Sequence, residues 1–197
     1  MFLSKIFTKK IINNNYHKFL NLPVSPGIDL FSRTDYDPLF YRHLNINIEE
    51  ISIELNNFLL SIGITVEVLE AFYTPPFGGK IPIHTDTPEI CNVAKINWTY
   101  GAPGSKLLFW EIKDSKYIES FSTEYNNTYL TSKEKYCKKM FEVEITKPSL
   151  INVGQFHSTY NPTDEGRWTL SLPLLDVKNN RRITWDEALI LLKDYIE

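Results

Sequence analysis

Ile81-Pro82-Ile83-His84-Thr85-Asp86-Thr87 is the stretch on which the reading of this chain turns. His84 and Asp86 stand two residues apart, so on a strand over 81–87 both side chains point to one face. An imidazole and a carboxylate side by side offer two ligands to one metal ion. A third candidate ligand, His157, follows in Gln155-Phe156-His157-Ser158. Arg167 then opens the strand-like run Arg167-Trp168-Thr169-Leu170-Ser171-Leu172. Taken alone, His-x-Asp fits equally a strand histidine hydrogen-bonded to a neighbouring acid; the ordered set of His, Asp, His and Arg carries the metal reading.

Outward from this stretch the residues read as short strands. Val66 to Tyr73 is rich in β formers and ends in the turn Thr74-Pro75-Pro76-Phe77-Gly78-Gly79. Strands are expected over 94–100 and 106–112 about the turn Gly101-Ala102-Pro103-Gly104, then over 141–145, 149–153, 156–160 and 167–172. In the last of these, Arg167, Thr169 and Ser171 share one face while Trp168, Leu170 and Leu172 share the other. Such a strand suits a polar cavity inside and an apolar layer outside. Lys95, Asn97 and Thr99 likewise share one face of the strand 94–100, where Lys95 either pairs with a carboxylate or reaches solvent.

Helices frame the strands. Residues 47–61 carry apolar side chains at three- and four-residue steps, with Asn47 as N-cap, early glutamates and Gly63 as the stop. Thr184 with Glu187 three residues later forms a capping box that opens a closing helix over 184–196. The expectation is a mainly β chain: a double-stranded β-helix (jelly roll, cupin-like) core with flanking α-helices, in one domain over 1–197. Residues 1–63 serve as N-terminal helical support and 64–175 as the core. The core is interrupted by an insertion at 113–140, too polar to be core yet carrying Tyr117, Phe121, Tyr125, Tyr129 and Tyr136. Loops of that length are usually functional, so a mobile cover over the barrel mouth is expected there.

Composition narrows the function. Net charge is −3 with no basic stripe, which counts against a nucleic-acid partner. No apolar run is long enough for a membrane span, and the start of the chain, with lysines among apolar residues, lacks a signal-peptide core. Cys91 and Cys137 have no CxxC spacing and read as free thiols of a soluble cytoplasmic protein. His17 and His43 lack acidic neighbours at ligand spacing and read as core or surface histidines.

The ordered set His84-x-Asp86, a long gap, His157, then Arg167 with Thr169 two residues on resembles the 2-oxoglutarate/Fe(II)-dependent dioxygenase superfamily over about 66–174. The resemblance implies Fe(II) held by His84, Asp86 and His157, with three open positions for 2-oxoglutarate and O2. It implies that Arg167 anchors the far carboxylate of 2-oxoglutarate, with Asn97, Tyr73 and Thr169 as further cosubstrate contacts and ascorbate as an optional cofactor. In place of the family's Gly-Gly turn stands Ala102-Pro103-Gly104-Ser105. The tail 161–167 resembles both the prolyl-hydroxylase-like and the aspartyl/asparaginyl-hydroxylase-like branches. Asp86 favours the former and disfavours halogenation, which needs the carboxylate position vacated. The implied substrate is an amino-acid side chain, free or in a peptide. A cupin-like binding module without oxidation and an oxygenase of nucleobases or other small molecules are the rival readings.

Overall fold

The computed structural model describes residues 16–66, 68–122 and 128–197. The start of the chain, Glu67 and Tyr125, which enter the expectations above, lie outside them. The chain opens with β1 (His17–Phe19) and β2 (Arg42–Ile46), followed by α1 (Ile53–Ser61). Next come β3 (Ile64–Thr65), β4 (Leu69–Thr74), β5 (Gly79–Lys80), β6 (Ile83–His84), β7 (Ala94–Tyr100) and β8 (Lys106–Ile112). Then follow β9 (Glu119–Ser122), β10 (Thr128–Ser132), β11 (Cys137–Glu144), β12 (Ser149–Asn152) and β13 (His157–Asn161). The chain closes with β14 (Arg167–Pro173), β15 (Leu175–Asp176) and α2 (Trp185–Leu191).

Two antiparallel sheets result. The first has the order β1-β12-β7-β14-β4-β2; the second runs β11-β8-β13-β6-β10-β9, with β5 also paired to β13. The chain alternates between them: β4, β7, β12 and β14 lie in the first, whereas β6, β8 and β13 lie in the second. That alternation makes the fold a double-stranded β-helix of the cupin-like, jelly-roll type. A two-stranded ribbon, β15 with β3, stands apart.

The period of two in β14 explains how the first sheet sits. Trp168, Leu170 and Leu172 are wholly buried together with Ala71, Ile96 and Leu150, against Leu55 and Leu59 of α1 and Ala188 of α2. Each such leucine contributes about 1.5–3 kcal/mol by leaving water. The other face turns inward with Arg167, Thr169 and Ser171, aligned by register with Thr74, Phe72 and Glu70 of β4. On the opposite flank Thr169 and Ser171 stand across from Thr99 and Asn97 of β7. Between the sheets, Ile151 and Val153 pack on Leu107 and Phe109 and fill part of the barrel with apolar side chains. The rest of the interior is polar.

Several expectations need correction. The helix over 47–61 is broken: a 3-10 turn at Ile48–Glu50 uses Asn47 and Glu50 as a capping box, and α1 starts afresh on Ser52, whose hydroxyl accepts from the Leu55 N–H. Ser52 N–H bonds to the Pro26 carbonyl, which pins the break, and Ile53, read as apolar-face, is 68% exposed. Gly63 does close the helix, at φ +82°. The first 63 residues are more than helical support, since β1 and β2 form the two edges of the first sheet. The strand over 81–87 is only Ile83–His84, because Pro82 and Pro88 supply no N–H and the Asp86 N–H bonds to the Val153 carbonyl instead.

The insertion at 113–140 is not a structureless loop. Its β9 and β10 form a hairpin, and β10 pairs with the metal-candidate strand through Thr131 opposite His84 and Ser132 opposite Ile83. Ser, Thr and Glu along a sheet edge give the polarity of a loop and the geometry of a strand. The insertion thus flanks His84 from one side, with β13 on the other, and is built into the second sheet where a mobile cover was expected. The capping box of Thr184 and Glu187 is formed as expected.

His17, at the edge of the first sheet, is 4% exposed, with Nε2 3.0 Å from the Ser149 hydroxyl. Burial, with Lys18 adding repulsion, lowers its pKa from 6.5 to about 4. The unfolded chain therefore binds a proton near pH 6.5 that the folded chain refuses until about pH 4. Stability from this group is intact above pH 6.5 and is lost as pH falls toward 4, by on the order of 3 kcal/mol. Chemical denaturation across pH 4–7 should show His17→Gln losing less stability on acidification than the parent; parallel pH profiles would refute this.

Candidate metal centre

β6 delivers His84 and β13 delivers His157, directly opposite each other in register. Asp86 follows β6 by two residues and turns to the same side. Its Oδ1 lies 3.3 Å from His84 Nε2 and 3.5 Å from His157 Nε2. Among the described residues these three form the single group of His, Cys, Asp or Glu able to hold one metal ion, with ligand atoms all within 4.8 Å of one another.

The second ring nitrogen of each histidine is committed. His84 Nδ1 donates to the Pro82 carbonyl at 2.8 Å and His157 Nδ1 to the Gln155 carbonyl at 2.9 Å. A carbonyl only accepts, so the proton of each neutral ring sits on Nδ1 and the Nε2 lone pair is free for a metal. His84 keeps 24% of its side chain accessible whereas His157 keeps 8%, so the cluster is approached from the His84 side. Tyr129 of the hairpin stands edge-on to His84 at 5.9 Å, and Phe121 leans on Tyr129 at 5.2 Å. Tyr117 and Tyr136 instead stack on each other at 3.8 Å and contribute nothing to the site.

Lys95, on the inward face of β7, pairs with carboxylates rather than reaching solvent. Its Nζ lies 2.6 Å from Asp86 Oδ2 and 2.6 Å from Glu70 Oε2, and His43 stands 3.6 Å from the far oxygen of Glu70. Burial opposes ionisation of Asp86, but the Lys95 charge and the His84 hydrogen bond outweigh it and hold the carboxyl well below the usual range. Burial likewise opposes the charge on Glu70, and Lys95 overrides it to bring the carboxyl to about 2. Burial and the charge of His84 lower His157 to about 4. For His84, the hydrogen bond and charge of Asp86 overcome burial and raise it above 6.5.

Arg167 differs from Lys95. It is 3% exposed, and no carboxylate pairs with it among the described residues; its NH2 group donates to Thr99 Oγ1 at 3.3 Å and its Nε has no partner. Burial alone pulls its pKa down to about 10, partly offset by Tyr41. The hydroxyls of Thr74, Thr159 and Thr169 are also buried without partners. Thr74 faces Arg167 across β4, and Thr159 lies two residues beyond His157, so these orphaned atoms line the same interior from both sheets. Asn97 is inward-facing but accepts from the Ser171 hydroxyl at 2.8 Å.

Tyr73 does not line this space. Register pairs it with Trp168, which places it on the outer face among Tyr36 and Trp168, with its hydroxyl donating to the Pro38 carbonyl at 3.1 Å. The alternation of Leu69, Ala71 and Tyr73 against Glu70, Phe72 and Thr74 carries that parity in the sequence. Tyr41, half-exposed just ahead of β2, is the tyrosine that feels this site: partial burial and the charges of Asp86 and Glu70 raise its phenol, with Arg167 opposing. Nothing around Tyr41 in the sequence marks it.

No family model and no curated protein matches this chain. Similar solved structures include ycfD of E. coli, at 13% identity over 68% of this chain and 30% of that one, TM-score 0.35. Oxalate oxidase in complex with glycolate is 15% identical over 85% of this chain and 77% of that one, TM-score 0.32. Pumpkin seed globulin is 13% identical over 64% and 29%, TM-score 0.30. This chain thus spans under a third of the length of ycfD. Likeness this remote concerns the barrel and says nothing of chemistry. No described helix is long and apolar enough to cross a membrane.

Below the pKa of His84, which lies above its ordinary value, a metal on this cluster must displace a proton from that ring. Apparent Mn(II) affinity should fall about tenfold for each pH unit below that pKa, and should collapse in His157→Ala. Titration by electron paramagnetic resonance between pH 5.5 and 8 checks both; a flat profile would mean that His84 is not a ligand.

Proposed function

We propose that this protein is an Fe(II)- and 2-oxoglutarate-dependent dioxygenase that hydroxylates an amino-acid side chain, free or within a peptide, with succinate and CO2 as co-products. The observation that carries the reading is Arg167: a buried guanidinium with no acid beside it among the described residues, on the same interior as two imidazoles and a carboxylate. A buried cation without a counter-charge costs several kcal/mol, and an anionic ligand removes that cost. A dicarboxylate with one end at the metal and the other at Arg167 satisfies both.

The donor set fits Fe(II), since two imidazoles and one carboxylate leave positions open for small ligands. Bound iron supplies the activation of O2, which no side chain here can perform. The protein supplies placement. His84 and His157 present Nε2 because their Nδ1 protons are tied to backbone carbonyls. Asp86 remains ionised at neutral pH beside Lys95, so one net negative charge is offered to the cation.

Arg167 has the fork geometry to take a carboxylate through two parallel hydrogen bonds. The unpartnered hydroxyls of Thr169, Thr74 and Thr159 are available to the same ligand. Thr99 holds the guanidinium from the side. Tyr129, edge-on to His84, walls the accessible side of the cluster and limits water where the substrate enters.

Losing a charge-assisted bidentate contact in a desolvated site costs on the order of 2–5 kcal/mol. Arg167→Met should therefore weaken 2-oxoglutarate binding by about 30-fold or more while leaving Mn(II) affinity nearly unchanged. Anaerobic calorimetry of the metal-loaded protein reads both. A non-oxidising binding module predicts no 2-oxoglutarate binding by the parent and no succinate in air, and either result would reject the dioxygenase.

A further inference from the structure

Among the described residues, Lys95 is the one charged side chain outside the metal-candidate cluster that pairs with it. Its Nζ sits between two carboxylates at 2.6 Å each, and its side chain is 5% exposed. Lysine is rarely buried to that extent without a partner, and here it has two. Three strands set the arrangement: Lys95 comes from β7, Glu70 from β4, and β14 runs between them. The Ser171 hydroxyl on β14 bonds to Asn97, filling that gap on the same inward face.

Asp86 needs such support. It stands beyond the two-residue β6, in a bend, with its N–H held by Val153. Among the described residues its carboxylate contacts only Lys95 and the two imidazoles. The two oxygens are sorted: Oδ2 belongs to Lys95, and Oδ1 faces both Nε2 atoms. A free carboxylate can rotate and present both oxygens to a cation, whereas this one presents one.

We infer that Lys95, anchored by Glu70, is a positioning residue that holds Asp86 as a single-oxygen metal ligand and keeps a further coordination position free. This inference rests on the reading that His84, Asp86 and His157 bind a metal. Glu70 has two tasks in the arrangement. It fixes the ammonium from the far side, and its charge cancels that of Lys95, so a dication approaching Asp86 meets no uncompensated positive neighbour. His43, stacked on Phe72 at 4.7 Å and close to the second oxygen of Glu70, braces that carboxylate in turn.

Charge alone and positioning predict opposite signs. If Lys95 acted only through its charge, replacing it with a neutral residue would tighten a dication. If it positions Asp86, the same change weakens binding, by about 10–100-fold for the loss of an outer support of a ligand. The test is Mn(II) titration of the full chain with parent, Lys95→Met, Lys95→Arg and Glu70→Gln, alongside the visible spectrum of the Co(II)-loaded forms. Lys95→Met should bind Mn(II) at least tenfold more weakly, with a Co(II) spectrum altered from that of the parent, and Lys95→Arg should restore part of both. Glu70→Gln keeps the Lys95–Asp86 contact but removes its anchor and counter-charge, and should also weaken Mn(II). Should Lys95→Met fail to fold, the Co(II) spectrum of Glu70→Gln carries the test: it differs from the parent's where Lys95 positions Asp86, and an unaltered spectrum, the mark of charge alone, overturns the inference. Unchanged or tighter Mn(II) binding in a folded Lys95→Met or in Glu70→Gln overturns the inference while leaving the metal reading intact. A parent that binds no Mn(II) overturns both.

Discussion

Asp86, Lys95 and Glu70 form a row of alternating charges sealed between two sheets, and much of this structure follows from the need to keep that row satisfied. Taking an ion out of water costs several kcal/mol even after relaxation, and mutual attraction repays it only when the geometry is good and further hydrogen bonds close the remaining sites. Both ion pairs at 2.6 Å meet that condition. The acids come from opposite sides of the barrel: Glu70 from the first sheet and Asp86 from the segment that leaves the second. The lysine therefore ties the sheets by charge where they are not tied by apolar packing. The apolar tie lies elsewhere, at Ile151, Leu107 and Phe109.

Arg167 makes the opposite choice on the same face. The fold surrounds one cation with two acids and leaves the other with a threonine hydroxyl and an unpartnered Nε. A cell of the barrel that holds a cation, three orphaned hydroxyls and, among the described residues, no acid is electrostatically incomplete. The neighbouring cell carries one net negative charge, Asp86 and Glu70 against Lys95, with two imidazole lone pairs beside it. The two deficits complement each other, and a metal with an anionic chelator would meet both at once.

That His84, Asp86 and His157 come together was legible in the chain because ligand chemistry demands particular residue types at strand spacing, which needs no knowledge of tertiary contacts; Arg167 was singled out by the resemblance and by its place on a strand with one polar face. The limits of β7 and β8 were legible too, bounded by the Gly101–Gly104 turn. Register was harder. The resemblance implies Tyr73 as a cosubstrate contact, while the alternation of its own strand already places it beside Trp168. The pairing of Lys95 with Glu70 and Asp86 joins residues on separate strands and leaves no local pattern. β9 was hidden because an edge strand with both faces wet carries neither apolar alternation nor an apolar run, and half-buried β10, with threonines and a serine among its residues, carries no clear alternation either. The break before α1 depends on a hydrogen bond from Ser52 to Pro26, a contact that helical periodicity does not encode.

The strand order of the first sheet has a consequence for how the molecule comes into being. β14, near the end of the chain, is inserted between β7 and β4 and pairs with both along nearly its whole length. Until it arrives, β4 with β2 and β7 with its partners share no backbone hydrogen bond, and the sheet exists only as two halves. A nascent chain that has already emitted every metal-candidate ligand still lacks the strand that joins Glu70 to Lys95. Long-range pairing of this kind makes folding slow and leaves open strand edges exposed while it waits. On a ribosome, the interior would be assembled last, all at once, after release of the segment that carries Arg167.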